Sequence, residues 1–461
     1  MDVERSTGKE GEKMRRKGEK AGWRFGFGAI LLPLLVFAGC AGDKHVKIDL
    51  MPAPDIYETA SIDPFGGSNP LEKIPYSGML YATDRALAGE DDDERFYKND
   101  RGNVVRLGVG NVDAGEGGIT WEEARRISLL KNRSDKYPLK VTGIQEFGIL
   151  DRSYTFITEP EAPDPEASRP REHFTQLIND KLRASRKRDV FIYVHGFKVT
   201  FENPILVATE LWHFLGYEGA FIAYAWPSTP SNTAYLKDVE TAALSAASLR
   251  KLVEYLAEET EAERIHIVGY SAGTRVVIEC LAQLALKHFG KDRAALKRAL
   301  GIGHVILVGS DFDRDRFGSY LADGMLNVPE DLTVYVSEKD SALGMSKLIF
   351  ARQRLGQVWA GGNIPLRDAR VLERHRNLRA INVTGAQGAT SGNGHGYFRK
   401  SPWVSSDILI TLMYDLKPEE RGLVHHGDGP VWTYPENYIE NLTAALKKAN
   451  PKMFRSIDRS R

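Results

Sequence analysis

The sequence predicts an α/β fold with a mostly parallel, doubly wound sheet, preceded by a β-rich extension. Three observations carry this. Beyond residue 171, short apolar runs alternate with longer helix-forming ones. The apolar runs are continuous and rich in Val and Ile, as strands covered on both faces are, rather than alternating with polar residues. One of them, Arg264-Ile265-His266-Ile267-Val268, leads into Gly269-Tyr270-Ser271-Ala272-Gly273 and then into a helix-forming run at 274–287. That is the strand–turn–helix setting in which G-x-S-x-G holds a serine out as a nucleophile. With 43 Gly and 25 Ser in 461 residues, chance alone supplies about 0.2 such matches, so the setting decides.

In order, the α/β part reads as helix 172–187, strand 189–194, helix 203–215, strand 220–225, helix 233–259 and strand 264–268. After the post-serine helix come strand 304–308, helix 314–325, strand 332–336 and strand 379–383. Upstream, residues 76–160 hold strand-like runs at 79–83, 104–107 and 140–144 separated by polar turns, a β-rich extension expected to pack on the main sheet. Glu90-Asp91-Asp92-Asp93-Glu94 lacks ligand spacing for a cation and reads as a solvated loop. Four prolines between 159 and 171 mark a linker before a catalytic domain at 171–461. Residues 40–75, with scattered Pro, Asp and Gly, read as a flexible tether.

The front of the chain carries an address. Its first 24 residues hold eight basic and five acidic side chains, and residues 25–42 hold no charge. Basic region, apolar region and small-residue site is the order of a secretory signal, here 1–39. The site Phe37-Ala38-Gly39-Cys40 resembles a bacterial lipobox, with Phe where Leu is usual. On that reading Cys40 becomes an acylated N-terminus, and Ala41 after it implies the outer membrane, facing the periplasm. An uncleaved transmembrane anchor is the alternative, although Pro33 and four glycines dilute the apolar run. Cys280 is the only other cysteine, so no disulfide is expected in the mature chain, and its place inside a helix reads as a small apolar core residue. The balance of 62 basic against 62 acidic residues becomes 54 against 57 once the signal is removed, and nothing in it asks for a nucleic-acid partner.

In doubly wound sheets the chemistry lies at the carboxyl ends of the strands. His195-Gly196-Phe197, Ser271, Ser337-Glu338-Lys339-Asp340 and Gly394-His395-Gly396 all follow strand ends. The order Ser271, Asp340, His395 is the order expected of an α/β-hydrolase triad. His395 is the candidate base and Asp340 the group that orients it, with the backbone N–H groups of Ala272 and Phe197 as oxyanion donors. Rivals are His375, His425 and His426 for the base, and Asp311 and Asp313 for the acid. His195 belongs to the oxyanion turn. No His and carboxylate cluster at short spacing asks for zinc, and no motif asks for a cofactor.

These stretches, with Tyr81-Ala82-Thr83-Asp84-Arg85, Trp226-Pro227-Ser228, Asp340-Ser341-Ala342-Leu343, Arg421-Gly422-Leu423 and Trp432, resemble a bacterial family of α/β hydrolases of unknown function, usually labelled "esterase/lipase superfamily enzyme". The resemblance runs from about Tyr76 to Tyr438 and implies the fold and the triad but no substrate. Tyr270 stands where His is common and Ala272 where Met is common. The expected activity is hydrolysis of a small-molecule or lipid-like carboxylic ester. An acyltransferase sharing the same acyl-enzyme and a non-catalytic envelope lipoprotein are the alternatives. Phe197, Phe201, Trp226, Phe312, Tyr397 and Phe398 are equally readable as acyl pocket or as core.

Overall fold

The computed structural model describes residues 46–60, 62–66, 69–115, 118–160, 164–343, 353–357, 366–425 and 430–449. The expected signal segment and Cys40 lie outside the described residues, as does His426. No helix among the described residues is long and apolar enough to cross a membrane.

The described strands form one twelve-stranded sheet. They are β1 (Lys47–Asp49), β2 (Met79–Leu87), β3 (Tyr97–Ala114), β4 (Pro138–Ile149), β5 (Asp189–Val194) and β6 (Ala220–Ala225). The rest are β7 (Arg264–Tyr270), β8 (Ile302–Val308), β9 (Asp331–Val336), β10 (Leu378–Asn382), β11 (Val424–His425) and β12 (Val431–Thr433). The spatial order is β1-β4-β3-β2-β6-β5-β7-β8-β9-β10-β12-β11. From β2 through β12 neighbours run parallel, while β1, β4, β3 and β2 form an antiparallel wing. This is the mixed, mostly parallel sheet of the α/β-hydrolase fold.

The parallel strands are apolar throughout because both faces are covered. Along β5, Val190, Ile192 and Val194 point into one core layer, and Phe191 and Tyr193 into the other. After the short helices α1 (Asp55–Thr59) and α2 (Trp121–Ile127), the first layer is closed by helices α3 (Arg169–Arg183), α5 (Tyr235–Glu259) and α6 (Gly273–Lys287). The second is closed by α4 (Glu202–Phe214) and by helices Pro402–Tyr414 and Tyr438–Ala449. Cys280 is fully buried in α6, and burial pushes its thiol well above the usual range, so it acts as an apolar filler.

Three expectations about organisation need correction. From Val46 onward the stretch read as a tether is part of the globule. β1 pairs with β4, Met51, Ala53, Ile56 and Tyr57 are buried, and the Met51 N–H donates to Glu210 Oε2 at 3.1 Å. The prolines hid this because the apolar residues plug one core layer at irregular spacing, without a helical or strand period. The β-rich segment, in turn, is an edgewise continuation of the sheet rather than a body packed on it: Leu80 to Thr83 pair in parallel register with Ile222 to Ala225. The linker also ends earlier than expected, since Pro170 occupies the first turn of α3, where a missing N–H costs nothing.

Candidate active site

The site is built at the carboxyl edge of β5, β7, β8 and β9. Ser271 follows β7 with φ +51°, a left-handed conformation for a residue with a Cβ. The turn is pinned on both sides. The Ser271 N–H donates to the Val308 carbonyl at 2.9 Å, and its own carbonyl accepts from Thr274 N at 3.0 Å and Thr274 Oγ1 at 2.6 Å. Gly273 lets α6 begin against the end of β5, because a Cβ there would come within 2.5 Å of the Val194 carbonyl oxygen. Gly196 is equally constrained, since its Cβ would lie 2.9 Å from that of Ser271.

His395 Nε2 lies 2.8 Å from Ser271 Oγ, and His395 Nδ1 lies 2.6 Å from Asp340 Oδ2. A carboxylate only accepts, so the proton between them sits on Nδ1, and Nε2 turns its lone pair to the serine hydroxyl. Asp340 is fixed through its second oxygen, which accepts from Leu343 N at 3.1 Å. The loops carrying Asp340 and His395 are tied together by Asn393, whose carbonyl accepts from Ser341 N at 3.1 Å and Ser341 Oγ at 3.0 Å. Asp340 is 2% exposed and His395 8%, so this pair works largely out of water, where its attraction is strongest. Beneath it lies Gly309, at φ +55°, where a Cβ would come 3.0 Å from His395 Cε1 and 3.1 Å from Nδ1. Tyr397 Oη accepts from Gly309 N at 2.6 Å and donates to the Tyr335 carbonyl at 2.8 Å, holding the ends of β8 and β9 at the pair. Tyr270 packs on the imidazole with ring centroids 5.1 Å apart.

The rivals lie elsewhere or do something else. Asp311 pairs with Arg275 Nε at 3.0 Å and accepts from Tyr235 Oη at 2.5 Å. Asp313 caps the helix Arg314–Ala322. His375 precedes β10, on the far edge of the sheet, and His425 stacks on Trp432 at 3.9 Å. His195 is fully buried, with Nδ1 2.8 Å from the Gly196 carbonyl and Nε2 3.0 Å from that of Trp226. Burial, helped by Arg85, pulls its pKa down to about 3, so the ring is neutral at physiological pH. Neither the Phe197 nor the Ala272 N–H meets an acceptor among the described residues, and Ala272 stands at the N-cap of α6. Of the six aromatic residues, five are at most 2% exposed and belong to the core, and Phe197 alone is half-buried.

One group able to hold a cation comes together among the described residues: His304, Asp331 and Asp415, with ligand atoms within 4.8 Å. It lies at the amino edge of the sheet, away from Ser271, and was invisible at short sequence spacing. Arginines already balance it, Arg379 on Asp331 at 2.6 Å and Arg264 on Asp415 at 3.3 Å. Sequence reasoning also missed Gly309, Asn393 and Arg275. Only Gly309, a glycine directly after a strand, carried a usable signal.

Compared with known proteins, residues 171–412 match the family model described as "Alpha/beta hydrolase of unknown function (DUF900)". No curated protein matches the chain. The match covers more than half of the sequence and contains Ser271, Asp340 and His395. The chain therefore belongs to this family of alpha/beta hydrolases of unknown function.

Proposed function

We propose that the protein is a serine hydrolase that cleaves carboxylic esters through an acyl-enzyme. The observation that carries this reading is the continuous line of hydrogen bonds Ser271–His395–Asp340, at 2.8 and 2.6 Å. Ser271 Oγ attacks the ester carbonyl as its proton passes to His395 Nε2. Asp340 holds the tautomer and stabilises the imidazolium. The N–H groups of Phe197 and Ala272 take the negative charge of the tetrahedral intermediate. Collapse breaks the carbonyl–alkoxy bond, and His395 returns the proton to the departing alcohol. Water then adds to the acyl group by the same route and releases the carboxylic acid and free Ser271. The test is a panel of p-nitrophenyl esters of increasing acyl length. Wild type is expected to turn over at least one of them, and Ser271→Ala to lose several orders of magnitude in rate while remaining folded. Equal rates in both proteins would contradict the reading.

The reading also places the protein in the cell envelope, lipid-anchored at Cys40 and facing the periplasm. What supports this is the basic, apolar and small-residue order of the first forty residues. Mass spectrometry of the mature N-terminus is expected to find an acylated Cys40, and an intact Met1 would favour a membrane anchor instead.

A further inference from the structure

The loop at 195–200, between β5 and α4, carries the Phe197 N–H, yet none of its N–H or C=O groups takes part in a backbone–backbone hydrogen bond among the described residues. It also contains Lys198 at φ +68°, a conformation that a residue with a Cβ keeps only where its surroundings impose it. Side chains from other segments do the imposing. Trp226 Nε1 donates to the His195 carbonyl at 2.7 Å. Ser228 Oγ accepts from Val199 N at 3.3 Å and donates to the Val199 carbonyl at 2.9 Å. Arg85, reaching across from β2, donates through Nη2 to the same carbonyl at 3.1 Å. Its other arm, Nη1, is held by Asn99 Oδ1 at 2.7 Å. Arg85 and Ser228 are both fully buried. A buried guanidinium is a costly way to fill space, and an aliphatic side chain would pack there at lower cost. Its planar fork, however, spans two acceptors in fixed directions, which a lysine does not.

We infer that Arg85 and Ser228 are positioning residues that hold the Phe197 N–H in line with the oxyanion formed at Ser271. The inference rests on the hydrolase reading above. It gives a task to Tyr81-Ala82-Thr83-Asp84-Arg85 and Trp226-Pro227-Ser228, two stretches that lie far apart in sequence and are neighbours in the parallel pairing of β2 with β6. Thr83 Oγ1 ties the two strands at the same level, donating to the Ala225 carbonyl at 2.6 Å. The clamp acts on the transition state, because the donor it aims is used most strongly when charge has developed on the substrate oxygen.

The test compares wild type, Ser228→Ala, Arg85→Lys and Ser271→Ala on the best p-nitrophenyl ester, with thermal unfolding as a check on folding. Misaligning the donor is expected to lower kcat about 10- to 100-fold in Ser228→Ala and Arg85→Lys, with KM within about twofold. Ser228→Ala removes only a hydroxyl and keeps the test decisive if Arg85→Lys does not fold. A folded Ser228→Ala enzyme with wild-type kcat, or one that loses only KM, overturns the clamp while leaving the hydrolase reading intact. If instead Ser271→Ala retains the wild-type rate, the hydrolase reading itself fails and the clamp with it.

Discussion

Ser271, Asp340 and His395 follow three strand ends spread over 124 residues, and the candidate acid is the member whose identity was most open. Asp311 also follows a strand and also approaches Ser271, its backbone N lying 3.5 Å from the Ser271 carbonyl oxygen. The two aspartates differ in what they face. Asp340 faces the imidazole, whereas Asp311 faces Arg275 and Tyr235. Asp340→Asn is therefore expected to favour the wrong tautomer of His395 and to lower kcat by about 10⁴ with little change in KM. Asp311→Asn removes the carboxylate partner of a buried arginine, so its effect should appear first as a lower unfolding midpoint. Steady-state kinetics and urea unfolding of both variants check this. A kcat loss confined to Asp311→Asn would reverse the assignment. The order Ser, Asp, His was readable because Ser271 and Asp340 sit just past apolar runs and His395 ends the glycine-rich loop after the next one. What separates Asp340 from Asp311 was not, because it depends on which residue lies across the space between strands.

At the level of elements, the parallel strands were readable from their unbroken Val and Ile runs, and the turn at Ser271 from its glycines. The antiparallel wing was only partly readable. β3 runs for 18 residues, Tyr97–Ala114, where a four-residue strand was expected, because half of its positions are polar and its register with β2 shifts at two irregularities. β1, β11 and β12 are two or three residues long, too short for any period to show. The ends of elements also carry constraints that periodicity does not report. Gly309 follows β8 in the left-handed region directly under the His–Asp pair, where a methyl group would crowd the imidazole. Gly309→Ala is expected to displace His395 and to cut the rate of Ser271 modification at least tenfold. The backbone strain and overpacking should cost stability on the order of 1–3 kcal/mol. Labelling kinetics and denaturant unfolding of the same variant measure both effects, and an unaltered labelling rate would show that the imidazole has room to spare.

The whole molecule adds a pH dependence that no single element contains. Three buried histidines are held neutral, chiefly by desolvation: His195 and His213 at a pKa of about 3 and His266 at about 4. In the unfolded chain a histidine takes its proton near 6.5. Between those values the unfolded state binds more protons than the folded one, so stability rises with pH there. The stabilisation is complete above about pH 6.5 and drains away as pH falls toward 4, each ring contributing at most about 1.4 kcal/mol per pH unit. Urea midpoints are expected to be flat between pH 7 and 8 and to fall steadily below 6.5, and His213→Gln should flatten that slope. A stability independent of pH from 5 to 7.5 would contradict the burial of these rings. The sequence showed the parallel α/β core but not that Met51, Ala53, Ile56, Tyr57, Ile62 and Phe65 belong to the packed interior, since these side chains find partners only through tertiary packing.

The central claim is that the Ser271 hydroxyl is activated by His395 and Asp340. Its most direct measurement is peptide-resolved mass spectrometry after brief exposure to a fluorophosphonate at neutral pH. One adduct is expected, on the peptide carrying Gly269-Tyr270-Ser271-Ala272-Gly273, and none in Ser271→Ala. A folded wild-type protein that forms no adduct, or forms it on another residue, would contradict it.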